Sequence, residues 1–439
     1  MNSGTGGFER YAAAGGGGLK VLLSAYACEP GGGSETGKGW EFAETLARRG
    51  CEVTVLTCGS HHREKIERHC ATHDVPPNLD FVWHDVPGWP GPGYEGARHI
   101  RQHYLAWQFT ARRTVKKLLA KRSFDVIHHL TWTVLRWPSF LGGLGPRFVF
   151  GPVGGGEVTP PLLRESFPEA GRKKERLRDI INRVSRLDPM VRSCLRKADV
   201  ILCTDTATAN HVPGKWSDKT FVVADIFAPE LQPAGAREGM STDGPALLFA
   251  GRLEYWKGAQ LALGALAELR TRMPGARLTL AGSGPDEAFL HDQARQLGVE
   301  DAAHFLGRVP HEEMLKLYTS HDVFLFPSLH DSGPHAIGEA LAASLPVVCL
   351  DLGGPGIAVD ASCGAVVSTG GRSVAEIHAD LADAVARIVS DPQRLADLRA
   401  GALARAAQFS YAARIDEMVR CFYRPEPVRD LGLLAGVEA

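Results

Sequence analysis

The sequence predicts an α/β protein of two doubly wound, Rossmann-like domains facing each other across a cleft. Length is the first reason. At 439 residues the chain exceeds the size at which a single core stops growing, so two domains are the default. The second reason is rhythm: short apolar runs alternate with amphipathic helical stretches, as in parallel sheets covered on both faces. The third is a single break in that rhythm, after which the alternation restarts.

The first half opens with "LKVLLSAYA", apolar, bounded by Gly and Pro and too short for a helix. A Gly-rich turn follows. The apolar positions Trp40, Phe42, Ala43, Leu46 and Ala47, closed by Gly50, then mark an amphipathic helix. "CEVTVLT", "FDVIHHL", "RFVFGPV" and "KADVILC" read as further strands. The break is "APELQPAGAREGMSTDGPA", rich in Pro, Gly and Ala and nearly devoid of large apolar residues. Beyond it come strands "LLFAGR", "RLTLAGSG", "AHFLGRV" and "VFLFPS", separated by helices beginning at Ala259, Asp286 and His311. The expected division is a disordered leader 1–18, a first domain 19–228, a linker 229–245, a second domain 246–408, a helix 409–425 packing back toward the first domain, and a tail 426–439.

Composition excludes several classes. The chain is 44% hydrophobic and 23% charged with a formal net charge of −1, which suits a globular protein and leaves no overall footprint for nucleic acid. Charge is asymmetric, with 31 basic against 24 acidic residues over 1–230 and 18 against 26 over the rest. Nine cysteines include no C-x-x-C pair, and several sit in strand-like runs, so buried free thiols in a reducing compartment are expected. No apolar run approaches the ~20 residues that span a bilayer, and the N-terminus lacks a signal peptide's apolar core. The expected location is the cytoplasm.

Several loops that follow strands carry more polar chemistry than a turn requires. In "FAGRLEYWKG", Arg252 ends a strand and Lys257 follows in a loop closed by Gly258. Two cations there suit a diphosphate, each charge-assisted bond contributing roughly 1.5–3 kcal/mol; a solvated turn with an Arg252–Glu254 ion pair is the competing reading. In "PSLHDSGPHAIGEALAASLPVVCLD", Pro334 fits the first position of a helix with Ser332 or Gly333 as cap. The N–H groups of His335 and Ala336 would then point out of the helix start, an anion site. Glu339 lies one turn in and reaches toward a ligand hydroxyl pair, while Asp331 precedes the helix. The spacing of the two carboxylates does not indicate a glycosidase pair.

"EPGGGSETGKGW" resembles a phosphate-cradling loop through Gly31, Gly32 and Gly33. It matches neither the P-loop nor G-x-G-x-x-G, and "AGSGPDE" offers Gly282 and Gly284 without a third Gly, so the nicotinamide-enzyme reading fails. His128 and His129 sit at a strand end without the further His or Cys of a metal site. Residues 164–197 carry 11 Lys and Arg against 5 Asp and Glu. With Leu177, Ile180, Ile181, Val184 and Leu187 on one side, this stretch suits either an anionic lipid surface or a solvated face over an apolar seam.

Together these residues resemble the group 1 (family four) retaining glycosyltransferases, which have the GT-B fold of two facing Rossmann-like domains. The resemblance runs from Lys20 to about Tyr423. Its signature is an acidic residue, seven residues, then Glu, here Asp331 to Glu339, preceded by "GRLEYWKG" and "AGSGPDE". The stretch from His330 to Gly356 looks like an exopolysaccharide-type branch. The resemblance implies that Arg252 and Lys257 hold the donor diphosphate and that Glu339 binds the ribose. It implies that Asp331, Ser332, Gly333, Pro334 and His335 contact the donor sugar and inner phosphate, with His128, or its neighbour His129, near the reacting carbon. Gly32 and Gly33 would approach the phosphates from the first domain, Gly282 would line the donor site, and Arg308 and Val309 would border the base. Glu157 is carried as a further candidate. Departures are Asp331 where Glu is frequent, Pro334 and Ser344 where Gly is common, and Leu130 in place of the second His of an H-x-H pattern.

The expected function is metal-free, retaining transfer of a hexose from a nucleoside diphosphate sugar, UDP- or GDP-linked, to a hydroxyl on a glycan, lipid-linked glycan or secondary metabolite. The donor is a substrate, and no cofactor or metal is expected. Peripheral contact with the inner face of an anionic membrane through 164–197 is an added expectation. A sugar-nucleotide epimerase or hydrolase of the same fold, or a non-catalytic nucleotide-sugar-binding scaffold, are the alternatives.

Overall fold

The computed structural model describes residues 18–89, 91, 99–229 and 244–424. The leader up to residue 17, most of the linker and the tail from residue 425 lie outside the described residues.

The first domain contains β1 (Lys20–Ser24), β2 (Glu52–Cys58), β3 (Leu79–His84), β4 (Val126–His129), β5 (Arg147–Val153), β6 (Val200–Cys203) and β7 (Thr220–Val222). The second contains β8 (Ala246–Ala250), β9 (Arg277–Ala281), β10 (Ala303–Gly307), β11 (Val323–Phe326), β12 (Val347–Leu350) and β13 (Gly364–Val367). The sheets run β3-β2-β1-β4-β5-β6-β7 and β10-β9-β8-β11-β12-β13, with every strand pair parallel. Chain direction across each sheet reverses between β1 and β4 and between β8 and β11. At such switch points the loops leaving the strands' carboxyl ends diverge and open a crevice.

Central strands of such sheets are covered on both faces, which is why they read as unbroken apolar runs. Val21, Leu22 and Leu23 of β1 are buried, as are Phe324 and Leu325 of β11. The first sheet divides its domain's core into two layers. One gathers Trp40, Phe42 and Leu46 with Ile415, Met418, Phe422 and Tyr423 from the chain's C-terminal end. The other is built on Tyr26, Tyr104, Trp107 and Phe150. The helix Tyr411–Met418 and the π turn Val419–Tyr423 therefore pack on the first domain, where Arg147 donates to the Phe422 carbonyl at 2.7 Å.

Two local features bear on function. The helix Glu169–Ser185 is inverted: its buried residues are Gly171, Glu175 and Asn182, while Leu177, Ile180, Ile181 and Val184 face outward. The seam reading of this stretch is thus corrected, because its apolar side is not the packed one. Ser344, just past the helix His335–Ala342, adopts φ +58°, the left-handed region that favours glycine. All nine cysteines are free, and only Cys70 is exposed. Among the described residues no helix is long and apolar enough to cross a membrane.

Candidate functional site

The loops at the carboxyl ends of β8, β9 and β10 enclose a cavity of about 700 Å³. Its walls are Gly251 and Arg252, Gly282 to Pro285, Arg308 and Val309, with Tyr318, Ala336 and Glu339 across from them. A second space of about 270 Å³ lies between the domains, lined by Glu35, Asp225, Lys257, Asp331 and the segment Ser332 to Ala336. The two share Ala250, Gly251 and Ala336, so they are consecutive compartments of one groove. A nucleoside-sized space leads directly into the interdomain cleft.

Backbone sets the first compartment's shape. Gly282 has φ +142°, and a Cβ there would lie 1.9 Å from the Gly251 carbonyl oxygen. Any larger residue would force the loops after β8 and β9 apart. Gly258 (φ +83°) is equally constrained, since its Cβ would lie 1.9 Å from the Pro327 carbonyl oxygen. That close approach seats the Lys257 loop against the end of β11.

The loop after β11 ends in the helix His335–Ala342, which has no side-chain cap. Pro334 is its N-cap with extended ψ of 112°, and His335 is the first helical residue. This shifts the start by one residue from the expected position for Pro334. Ile337 already donates to the Pro334 carbonyl at 3.1 Å, which leaves the His335 and Ala336 amides at an uncapped terminus lining the second compartment.

Charge is concentrated at the junction. Lys257 pairs with Asp331, their side chains only 16% and 10% exposed, and its ammonium lies 4.4 Å from the Trp256 ring centroid. Arg252 pairs with Glu254 at 2.9 Å but remains 71% exposed at the cavity mouth. Glu339 accepts a hydrogen bond from the Tyr318 hydroxyl at 2.9 Å, which holds the carboxylate at the cavity wall. The first domain contributes Glu35, which accepts from the Trp132 amide at 3.0 Å, and Asp225, which accepts from buried Lys38 at 2.6 Å. Burial alone would lower the Lys38 pKa, but the Asp225 and Glu35 carboxylates outweigh it and raise it. The second Asp225 oxygen, Oδ1, is buried and has no hydrogen-bond partner among the described residues.

Two family models match the chain: glycosyl transferases group 1 over residues 236–405 and glycosyltransferase family 4 over residues 40–223. The chain belongs to the group 1 glycosyltransferase family. Among curated relatives, a glycogen synthase of Mycobacterium tuberculosis is 42% identical over 151 residues, which are 34% of this chain and 35% of that protein. D-inositol 3-phosphate glycosyltransferase 1 of Catenulispora acidiphila is 27% identical over 430 residues, covering 92% of this chain and 94% of the relative. The first of these alignments thus spans about a third of its relative. Sucrose-phosphate synthase from Thermosynechococcus elongatus superposes with a TM-score of 0.60 at 18% identity, covering 92% and 98% of the two chains. Anabaena Alr3699/HepE, solved with UDP and glucose, gives 0.56 at 16% over the same shares. At such identities the likeness is one of fold, and the fold is GT-B.

In this group 1 family member, Gly282, Arg308, Val309, Arg252 and Glu339 share the first compartment, and Lys257, Asp331, Ser332, Gly333, Pro334 and His335 share the second. Other expected residues lie elsewhere. His128 is fully buried, one ring nitrogen 2.6 Å from the Tyr423 hydroxyl and the other 2.6 Å from the Gly151 carbonyl. The expectation that it faces a reacting carbon is therefore corrected: both nitrogens are engaged within the first domain. His129 is also buried, stacked on Phe150 and bonded to Tyr104 at 3.1 Å. Burial holds His128 down to about 4 and His129 to about 3, so both rings are neutral. A Cβ at Gly32 would lie 2.4 Å from the Thr36 hydroxyl oxygen, and one at Gly33 would meet open space; neither residue lines the two compartments, and Glu35, in the first turn of the helix Ser34–Arg48 that follows, takes that place. Glu157 is buried, accepting from the Gly155 amide at 2.9 Å and from Arg178 at 3.0 Å. Burial and Asp205 push its carboxyl up to about 8.

Glu35, Lys38, Asp225 and Tyr318 were not singled out from the sequence. Lys38 had one legible signal, a lone Lys between two glycines just ahead of the apolar helix positions. Asp225 had none, because it reaches the cleft only when the chain crosses between the domains.

Proposed function

We propose that the protein is a retaining glycosyltransferase that moves a hexose from a nucleoside diphosphate sugar to a hydroxyl acceptor without a metal. The observation that carries this reading is the groove itself. A nucleoside-sized compartment ends at Lys257 and an uncapped helix start, and the next compartment lies between the domains. In this reading Glu339 takes the ribose hydroxyls, and Arg252, Lys257 and the His335 and Ala336 amides take the diphosphate. The bond from the sugar's anomeric carbon to the phosphate oxygen breaks while the acceptor oxygen bonds that carbon on the same face. The departing phosphate takes the acceptor proton, and fixed positive charge stabilises the charge it gains. Asp331 and Asp225 are placed to orient hydroxyls in the cleft.

Incubation with UDP-, GDP-, ADP- and TDP-hexoses, with EDTA and an acceptor panel, tests this. Nucleoside diphosphate release that requires an acceptor, with an axial or equatorial linkage matching the donor, is the expected result. Release without acceptor would favour the epimerase or hydrolase reading, and binding without turnover the scaffold.

The inverted helix supports a second element of the proposal: the protein rests on an anionic lipid surface through residues 164–197. Val184 is 60% and Leu187 74% exposed, and Leu177, Ile180, Ile181 and Met190 are exposed beside them. Eleven Lys and Arg in the same stretch face 5 acidic residues. Each basic group near such a surface contributes about 1 kcal/mol. Sedimentation with vesicles containing phosphatidylglycerol should carry the wild type down and leave Ile180→Glu/Leu187→Glu in solution. Absence of wild-type binding at low salt would overturn it.

A further inference from the structure

Outside the groove, the carboxyl end of β2 gathers a second cluster of chemistry-bearing side chains. We propose that Cys58, His61 and His103 bind a structural Zn²⁺ ion, with water or Asp85 completing four ligands. The ligand atoms of the three residues all lie within 4.8 Å of one another. With Zn–S of about 2.3 Å and Zn–N of about 2.0–2.1 Å, tetrahedral ligands stand roughly 3.3–3.6 Å apart, so the side chains need draw in by about an ångström.

The fold produces this convergence. Cys58 ends β2 and is the N-cap of the helix Gly59–Thr72, whose first turn carries His61. The helix Ile100–Leu119 crosses the same strand end with His103 in its first turn. Gly91, with φ +99°, gives the two rings their common space: a Cβ there would lie 2.9 Å from His61 Nε2 and 3.0 Å from His103 Nε2. Both nitrogens therefore face one spot that a side chain would fill.

The surroundings are those of a metal's outer partners. The Tyr26 hydroxyl lies 2.8 Å from His103 Nδ1, which orients the ring and leaves Nε2 for the ion in exchange for the 3.2 Å contact with the Trp89 carbonyl. Asp85 Oδ1 is 3.5 Å from Cys58 Sγ and accepts from the Ser60 amide at 2.8 Å. A neutral imidazole pair and one thiolate beside a carboxylate is a donor set that selects zinc over the hard cations. The ion would tie two helices to the end of β2. Tyr26 meets Trp132 with ring centroids 5.6 Å apart, and the Trp132 amide positions Glu35.

This proposal is independent of the transferase reading. Full-length protein from zinc-supplemented culture, exchanged into metal-free buffer, should retain about one equivalent of zinc by mass spectrometry. Cys58→Ser and His103→Asn should lose it, and Cys70→Ser should keep it. Because the first two variants remove buried side chains, Co²⁺ titration of metal-stripped wild type supplies a second readout: a thiolate-to-cobalt charge-transfer band with tetrahedral ligand-field bands. Zinc-free wild type without that band, or zinc retained equally by Cys58→Ser and His103→Asn, would overturn the site.

Discussion

Lys257 and Asp331, 74 residues apart in sequence, meet as an ion pair that joins the loop after β8 to the loop after β11. The pair stands beside the uncapped start of the helix His335–Ala342. Each loop's position thus depends on the other, and the charge that would meet a diphosphate is held in advance at the junction of the two compartments.

Lys257→Ala should therefore lower kcat/KM by about 10²–10³-fold, the size of effect seen when one preorganised stabiliser of developing charge is removed. Asp331 would be left buried without its partner, which costs about 3 kcal/mol, so urea denaturation should show a lowered midpoint as well. Steady-state kinetics at a temperature where the variant is folded separates the two effects. A kcat/KM within threefold of wild type would remove Lys257 from the chemistry.

Glu339→Gln should act on binding. The amide oxygen still accepts from Tyr318, so stability should change by under about 1 kcal/mol. Losing a charged acceptor for ribose hydroxyls should raise the donor KM about tenfold, with kcat changed less. Donor titration at saturating acceptor measures both.

Ser344→Gly should stabilise the protein. Ser344 holds φ +58° just past the C-cap Ala343, a conformation costing a residue with a Cβ about 1 kcal/mol that glycine does not bear. Chemical denaturation should show a gain of about that size with unchanged donor KM.

Stability should fall with acid between pH 6.5 and about 4. His128 and His129 are held by burial to about 4 and about 3 in the folded protein, below the ordinary histidine value of about 6.5. Across that window the unfolded chain binds more protons than the folded one, so unfolding free energy rises with pH. Each group contributes up to about 1.4 kcal/mol per pH unit there. Above pH 6.5 the contribution is fully present. His129→Phe should flatten the slope by about one group's share, read from urea midpoints at pH 5 and 7.

Much of the second domain was legible because its physics is local. The runs at β8, β9, β10 and β11 read as strands from their apolar faces, and Gly258 and Gly282 mark loops whose positive φ and close backbone approaches call for glycine. Arg252, Lys257, Asp331 and Glu339 cluster in short loops directly after strands, so sequence position nearly specifies spatial position. The first domain was harder. His128 and His129 alternate on a strand, and nothing local tells which face the returning C-terminal segment covers; Tyr423, far away in sequence, occupies the side His128 points to. Lys38 and Asp225 become a pair only through tertiary folding. The helix Glu169–Ser185 shows amphipathic spacing, but spacing alone does not say which side is packed, and here the polar side is.

Thermal unfolding with UDP, GDP, ADP and TDP in the presence of EDTA decides whether the groove takes a nucleoside diphosphate against Lys257. Wild type and Lys257→Ala would be compared by the shift each nucleotide produces rather than by their unliganded midpoints. At about 100 times its dissociation constant, a ligand adds about 2.7 kcal/mol of stability. One nucleotide should shift the wild type by that amount and the variant little. If no nucleotide shifts the wild type, or if all shift both proteins equally, the groove is not the donor site described above.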